Sequence, residues 1–367
     1  ARVPAAVGPR ILIAAGGTAG HVVPALAVAD VLRRGGATVV WVGGERAEAE
    51  LVPAAGYPMR TIRVRGIDRG NVVRAAGAVA LAGRALGRAA AIVRAERPDA
   101  VLGGGGYVAG PVGAAAAARH VPLVLTEADS HLGLTNRLLA PFARRVCLAF
   151  PIPGRTGKRY RVTGRPMPPP ATDRAAARAR FGLPEGETCV LVFGGSLGAR
   201  SINEAALEAF AQASFRVLHA AGERDFATLE APRPGYDLRP YITGFGEALL
   251  ACDLVVARAG GSVFEVCAAG RPAILVPYPH ASADHQSANA RWMADAGAAV
   301  IVPDAELTPP RLTREVAVLL GDPDRLAAMG RASAALARPR AAEDVADEVL
   351  AAAGAPRSTV RPGPQPG

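Results

Sequence analysis

Residues 11–36 read ILIAAGGTAGHVVPALAVADVLRRGG, and residues 190–205 read VLVFGGSLGARSINEA. Each stretch is an apolar run that enters a glycine-rich turn and continues into a helical pattern. The two stretches begin about 180 residues apart in a chain of 367. A strand, turn and helix at the start of each half predict two domains of similar size, each large enough to bury its own core.

Short apolar runs alternate with helical stretches in both halves. The predicted strands are 11–15, 38–42, 61–64, 100–102, 122–126 and 145–148 in the first half, and 189–193, 216–220, 254–257, 273–276 and 299–302 in the second. This alternation is typical of βαβ units and of a parallel sheet covered by helices on both faces. We therefore predict the α/β class, with two Rossmann-like doubly wound domains facing a cleft.

Changes in composition give the predicted boundaries. We expect disorder at 1–10, a first domain at 11–165, a linker rich in Pro and Gly at 166–187, a second domain at 188–340, a closing helix at 341–354 that can return to the first domain, and a disordered tail at 355–367.

The formal charge of +10 comes almost wholly from arginine, because Lys158 is the only lysine. The arginines are spread along the whole chain rather than gathered in one segment, which argues against a nucleic-acid partner. An anionic membrane surface or a phosphorylated substrate remains compatible with the surplus.

The four cysteines lie far apart and form no CxxC pair for zinc or redox chemistry; they are Cys147, Cys189, Cys252 and Cys267. We interpret them as reduced core thiols, which favours a cytoplasmic location. The first apolar run is too short for a signal peptide, and no segment reaches the roughly 18 to 20 apolar residues of a membrane span.

Polar and glycine residues follow several predicted strands of the first half. The turn 16–21 (GGTAGH) is neither GxGxxG nor GxxxxGK[ST], so neither a dinucleotide fingerprint nor a P-loop is present. A tight βα turn is the plain interpretation, but His21 stands where open α/β sheets bind substrates. Four glycines and Tyr107 follow the fourth strand. Glu127 and Asp129 follow the fifth, as an acid/base pair or as helix caps.

The second half repeats this arrangement. Glu265 follows a glycine turn, and a carboxylate at such a place suits a ribose diol, although an exposed helix carboxylate is the alternative. His285, Gln286 and Asn289 lie at the start of a helix after the next strand. The one DxD, at 322–324, sits in a turn between two helices, so we interpret it as a helix cap and predict no metal site.

With these residues assembled, the chain resembles the MurG family of UDP-GlcNAc transferases over about residues 10–350. The resemblance rests on GGTAGHVVPALAVA, GGYVAGP, LTEADSHLGLTNR, VTGRP, GGSLGARSINEA, RAGGSVFEVCAAGRPAILVPYPH and ADHQSANA. It implies a GT-B architecture and an inverting, metal-independent transfer of GlcNAc from UDP-GlcNAc to the muramyl 4-hydroxyl of lipid I, giving lipid II. It implies no cofactor beyond the donor substrate.

The resemblance also implies site residues. The catalytic set is His21, Asp129 and Glu127. The donor-binding set is Thr18, Gly20, Ser196, Gly195, Arg165, Phe245, Glu265, His285, Gln286 and Asn289. The loops facing the acceptor diphosphate contain Gly17, Gly104, Gly105 and Tyr107.

Three positions depart from the family pattern. Ala19 stands where the family usually has glycine, and Asp129 stands where it usually has asparagine. The Gly-Asn-Pro-x-Arg pattern after the linker is here Gly-Arg-Pro-Met-Pro, so Arg165 is the only arginine at hand to replace the missing one.

The stretch 74–94 is similar to the membrane-facing patch of the family. Its predicted lipid-facing residues are Arg74, Arg84, Arg88 and Arg94 with Val79, Leu81, Leu86 and Ile92. An ordinary helix with a solvated basic face explains the pattern equally well. The resemblance implies a peripheral protein at the cytoplasmic face of the cell membrane, with an anionic inner surface and lipid I as partners.

Three alternative functions remain. The nearest is a related glycosyltransferase with another lipid-linked or glycolipid acceptor. A UDP-GlcNAc 2-epimerase shares the architecture and the nucleotide. A nicotinamide oxidoreductase is disfavoured because GxGxxG is missing.

Overall fold

The structure is a computed structural model that describes residues 8–63, 72–195, 198–281 and 284–356, without the side chains of 72–82. The chain divides into two compact units. We call Ala1–Pro168 with Arg340–Gly367 the first domain, and Pro169–Pro339 the second domain.

The first domain is a parallel seven-stranded sheet with helices on both faces. Its elements are β1 (Arg10–Ala14), α1 (Ala19–Arg34), β2 (Thr38–Gly43), α2 (Ala47–Ala54), β3 (Met59–Thr61), α3 (Val72–Glu96), β4 (Ala100–Gly103), α4 (Gly106–Ala118), β5 (Leu123–Glu127), α5 (Leu134–Leu139), β6 (Arg145–Leu148) and β7 (Tyr160–Val162). The strand order is β3-β2-β1-β4-β5-β6-β7.

The second domain is a parallel six-stranded sheet of the same design. Its elements are α6 (Arg174–Arg180), β8 (Cys189–Phe193), α7 (Arg200–Ala209), β9 (Arg216–Ala220), α8 (Glu223–Phe226), β10 (Tyr236–Arg239), α9 (Phe245–Ala251), β11 (Leu254–Ala257), α10 (Val263–Ala268), β12 (Ala273–Leu275), α11 (His285–Asp295), β13 (Ala299–Ile301), α12 (Pro309–Leu320) and α13 (Pro323–Leu336). The order is β10-β9-β8-β11-β12-β13. The last helix, α14 (Ala341–Ala352), belongs to the first domain.

Both sheets place their first strand beside their fourth, which confirms two Rossmann-like doubly wound domains. In such a sheet the strand order reverses between these two parallel strands, and the loops at their carboxyl ends border a crevice. The loops concerned follow β1 and β4 in the first domain, and β8 and β11 in the second. Each glycine turn quoted above therefore lies at a topological switch point.

The central strand β1 is buried on both faces. Ile11 and Ile13 pack into one core with α1 and α14, while Leu12 and Ala14 pack into the other with α3 and α4. All four residues have no exposed surface, and burying an Ile or Leu side chain stabilises the fold by about 1.5 to 3 kcal/mol. An uninterrupted apolar run is what such a strand requires.

The strands β7 and β10 were not predicted. Their sequences, YRV and YDLR, have no apolar run because each forms the edge of its sheet. The predicted linker 166–187 contains α6, which packs on α9 within the second domain. Strand β1 begins at Arg10, one residue earlier than predicted. Residues 1–7 and 357–367, predicted as disordered, lie outside the described residues.

The four cysteines are free and buried, which confirms their interpretation as core thiols. The DxD interpretation is confirmed too, because the Asp322 carboxylate accepts the Arg325 N–H at the start of α13.

The prediction that Ile92 enters a membrane interface is wrong, because Ile92 is buried in the core of the first domain. The side chains of Arg74, Val79 and Leu81 lie outside the described residues, whereas Arg84, Leu86, Arg88 and Arg94 are exposed. Within the described ranges, no helix is long and apolar enough to cross a bilayer.

Candidate functional site

The first glycine turn connects the carboxyl end of β1 to the start of α1. Gly17 has a φ of +105°, a conformation that side-chain-bearing residues rarely adopt. Thr18 is the N-cap of α1, and Thr18, Ala19 and Gly20 are exposed. The first turn of a 16-residue helix thus meets solvent with its partial positive charge, an arrangement that favours a phosphate group.

His21 lies one residue beyond this exposed segment. Its Nδ1 is 3.3 Å from the Thr18 hydroxyl. Burial, and after it the guanidinium of Arg165, lowers the pKa of His21 below 6.5, while the Asp129 carboxylate acts in the opposite direction. The imidazole is therefore neutral at pH 7 and able to accept a proton.

The four-glycine loop after β4 packs directly on the first turn. A Cβ at Gly105 would lie 2.6 Å from the His21 ring, and a Cβ at Gly106 would overlap the Gly16 carbonyl oxygen. A Cβ at Gly104 would lie 2.8 Å from Ala15. Close packing between two loops at the switch point thus requires these glycines, whether or not a ligand contacts their backbone.

Tyr107, the second residue of α4, donates a hydrogen bond from its hydroxyl to the Glu48 carboxylate at 2.6 Å. Glu48 also accepts the backbone N–H of Gly17 at 2.8 Å. Sequence reasoning did not identify Glu48, because it lies in an ordinary helical pattern on α2 and only its burial distinguishes it from Glu50. The structure thus connects a predicted acceptor-loop residue to the first turn through an unpredicted carboxylate.

Glu127 is turned toward its own loop. Its carboxylate accepts from the N–H groups of Asp129 (3.2 Å) and Gly133 (2.9 Å) and from the Asn136 amide (2.9 Å). Burial raises its pKa, although these donors act against the shift. The geometry thus favours loop support for Glu127. The Asp129 carboxylate acts to raise the pKa of His21.

Arg165 lies beside the first glycine turn. Its guanidinium donates to the Gly20 carbonyl at 2.8 Å, across 145 residues of sequence. Arg165 was predicted among the donor-binding residues together with Thr18 and Gly20, and all three belong to the first domain. Its positive charge therefore lies beside the exposed helix start and His21.

The second glycine turn follows β8 in the same topological position. Gly195 has a φ of +100°, and Ser196 lies outside the described residues. The turn leads into α7, which has ten residues. Phe245, at the start of α9, packs edge-on against Phe193 of β8, with ring centroids 4.9 Å apart. Phe245 is thus placed at the carboxyl end of β8, the strand that carries the turn.

Two amide side chains predicted to bind sugar hydroxyls brace neighbouring loops. Gln286 accepts the Tyr278 N–H at 3.0 Å through its Oε1. Asn289 is buried and donates to the Ala259 carbonyl at 2.9 Å. Glu265 and His285 are partly exposed in the first turns of α10 and α11. These residues share the carboxyl edge of the second sheet.

Arg258 is a second residue that sequence reasoning missed. Its guanidinium donates to the Pro277 carbonyl (3.2 Å) and to the Ser201 hydroxyl (2.9 Å), and it forms an ion pair with Asp304. Arg258 therefore holds together the loops after β11, β12 and β13 and the start of α7. Its position directly after β11 is the one sequence signal that marks it.

The next feature is the grouping of side chains that could bind a metal ion. In the part of the chain that the structure describes, no three His, Cys, Asp or Glu side chains come together to hold a metal ion. The groups suited to anions are the glycine turns, the helix starts and Arg165.

Comparison with known proteins gives a consistent result. Residues 11–148 match the glycosyltransferase family 28 N-terminal domain, and residues 189–345 match the family 28 C-terminal domain. The UDP-N-acetylglucosamine--N-acetylmuramyl-(pentapeptide) pyrophosphoryl-undecaprenol N-acetylglucosamine transferase of Moorella thermoacetica is 44% identical, over 93% of this chain and 98% of its own length.

Solved structures agree. The crystal structure of Acinetobacter baumannii MurG superposes with a TM-score of 0.76 at 31% identity, covering 94% of this chain and 99% of that one. A putative UDP-N-acetylglucosamine 2-epimerase from Listeria monocytogenes gives a TM-score of 0.65 at 14% identity, with 94% and 96% covered. At that identity the second likeness shows the fold alone.

Proposed function

Because the chain belongs to the MurG family within glycosyltransferase family 28, we propose that it transfers GlcNAc from UDP-GlcNAc to the muramyl 4-hydroxyl of lipid I and so forms lipid II. Identity of 44% over nearly the full length of a curated transferase carries this proposal. The region of similarity covers both domains and therefore both glycine turns at the switch points. Such a transfer is an inverting displacement in which the hydroxyl attacks the anomeric carbon and UDP leaves.

On the acceptor side, His21 is the proposed base. In the tautomer that donates Nδ1–H to the Thr18 hydroxyl, Nε2 holds the lone pair that would take the proton of the attacking hydroxyl. The lowered pKa of the imidazole keeps this lone pair available at neutral pH. The exposed start of α1 and Arg165 supply the positive potential for the acceptor diphosphate. Gly17, Gly104 and Gly105 shape the backbone around it.

On the donor side, the glycine-rich segment after β8 and the start of α7 are proposed to stabilise the leaving diphosphate. Glu265 would accept the ribose hydroxyls, and Phe245 would border the uracil. His285, Gln286 and Asn289 would line the sugar. The bonds from Gln286 and Asn289 to loop backbone support this proposal, because they hold the loops in one geometry before the donor arrives.

Membrane association is proposed for the first domain. Leu134, Leu138 and Phe142 are 57%, 64% and 67% exposed, and they recur every four residues along α5 and the turn that follows it. The exposed side chains of Arg137 and Arg144 flank them. An apolar row bordered by arginines suits the interface of an anionic membrane, where the lipid acceptor resides.

The test is transfer of labelled sugar from UDP-GlcNAc to a lipid I analogue in EDTA, with UDP-GalNAc and a reaction without acceptor as controls. We expect transfer that needs the acceptor, prefers GlcNAc and persists in EDTA. Conversion of UDP-GlcNAc without acceptor would support an epimerase instead. Donor binding without transfer would indicate a glycosyltransferase with another acceptor.

A further inference from the structure

Glu48 lies at the junction of three segments of the first domain, and it has no exposed surface. Its Oε2 accepts the Gly17 N–H at 2.8 Å. Its Oε1 accepts the Gly44 N–H at 2.8 Å and the Tyr107 hydroxyl at 2.6 Å. One carboxylate thus connects the first glycine turn, the loop after β2 and the start of α4.

The backbone around this carboxylate closes directly on it. A Cβ at Gly16 would lie 2.7 Å from Oε1, and a Cβ at Gly43 would lie 2.8 Å from Cγ of Glu48. A Cβ at Gly44 would overlap the Tyr107 hydroxyl. Because none of these glycines has room for a side chain, the position of the carboxylate and the path of the turn determine each other.

We propose that Glu48 is a positioning residue that holds the first glycine turn in the form that receives the acceptor diphosphate. This inference rests on the proposed function. By accepting the Gly17 N–H inside the protein, Glu48 fixes the turn beyond which Thr18, Ala19 and Gly20 are exposed. The acceptor then meets a preformed site rather than a turn that must be ordered on binding.

The carboxylate form is required for this role. Burial acts to raise the pKa of Glu48, but hydrogen bonds from Tyr107, Gly17 and Gly44 outweigh it, and the pKa lies below 4.5. Both oxygens therefore accept hydrogen bonds at neutral pH. A glutamine cannot reproduce this, because its NH2 group would face either the Gly17 N–H or the pair formed by the Gly44 N–H and the Tyr107 hydroxyl.

The experiment compares the wild-type chain with Glu48→Gln and Glu48→Asp. Glu50→Gln is the matched control, since Glu50 is an exposed carboxylate on the same helix. We expect Glu48→Gln to raise the KM for a lipid I analogue by at least about tenfold and to leave the KM for UDP-GlcNAc within about twofold. Amide hydrogen exchange in the 14–21 segment increases in Glu48→Gln and not in Glu50→Gln.

An unchanged acceptor KM with unchanged exchange would overturn the inference. Equal rises in both KM values together with a lower Tm would also overturn it, since they would indicate general structural damage. If Glu48→Gln does not fold, Glu48→Asp carries the same comparison, because it keeps the charge on a shorter arm. If the wild-type chain transfers no sugar, the proposed function fails, while hydrogen exchange still decides whether Glu48 holds the turn.

Discussion

Among single residues, burial and then the nearby charges set the pKa of His21. Arg165 is one cause of the lowered pKa, after burial. In Arg165→Gln the amide can still donate to the Gly20 carbonyl, but the positive charge is gone. We expect the pKa of His21 to rise. The imidazole then becomes protonated at a higher pH, and activity falls at that higher pH. The check is the acid limb of the kcat profile, whose midpoint moves upward.

Arg119→Gln removes an exposed arginine of the same domain that lies outside the proposed site and membrane patch, and the acid limb of this control is expected to match that of the wild type. An unmoved midpoint in Arg165→Gln would show either that Arg165 does not act on His21 or that His21 is not the titrating base.

Glu265 gives a second prediction at this scale. Removing a carboxylate that accepts ribose hydroxyls is expected to raise the Kd for UDP-GlcNAc by about tenfold or more, because hydrogen bonds to a charged group contribute about 1.5 to 3 kcal/mol. Calorimetric titration of Glu265→Ala measures the change, with Glu208→Ala on exposed surface of the same domain as control. Wild-type donor affinity in Glu265→Ala would remove Glu265 from the site.

At the scale of elements, α14 is fastened to the first sheet by charge as well as by apolar packing. Glu348 accepts from Arg145 at 2.6 Å and from Arg161 at 2.8 Å, while Val345 and Val349 lie in the core beside β1. Glu348→Ala leaves two partly exposed arginines without this partner. We expect it to lower the free energy of unfolding by about 2 kcal/mol, less than for a fully buried pair.

The pH dependence of that loss follows from the pKa of Glu348. Burial acts to raise it, but hydrogen bonds from Arg161 and Arg145 outweigh this, so the folded pKa lies below the reference value of 4.5. The carboxylate therefore stabilises the fold above that pH and less as the pH falls below it. Urea unfolding at pH 7 and at lower pH measures the difference, with Glu343→Ala on the same helix as control. If Glu348→Ala lowers the free energy of unfolding by the same amount at every pH, the stabilisation does not come from the ionised Glu348 carboxylate.

At the scale of the whole molecule, the net charge of +10 and one exposed apolar row together give the membrane prediction. The double variant Leu138→Asp, Phe142→Asp is expected to lose binding to phosphatidylglycerol vesicles, because it puts anions into the apolar row. Cosedimentation measures this, with phosphatidylcholine vesicles as the neutral comparison. Val318→Asp, an exposed apolar position of the second domain, is expected to bind as the wild type does. Full binding by the double variant would place the membrane contact elsewhere.

The fold class, the repeated strand, turn and helix, and most strand positions are predictable from the order of residues alone. These follow from local rules: a strand buried on both faces must be continuously apolar, and a strand that turns at once into a helix needs glycine. The edge strands β7 and β10 were not predicted, because one side of each strand is unpaired and tolerates polar residues. The first turn could be predicted because its glycines are consecutive in sequence, and His21 was singled out because it follows them directly.

Contacts between residues far apart in the chain become visible only once it is folded. Glu48 reaches Gly17 across 31 residues, and Arg165 reaches Gly20 across 145. The folded chain also turns Glu127 toward its own loop, where sequence analysis had left an acid/base pair and helix caps as alternatives. It buries Ile92 in the core, against the sequence prediction. These contacts could not be predicted because a helical pattern indicates only which residues share a face of the helix. The partner of a buried charge depends on the order of strands in the sheet and on how the loops pack at its edge.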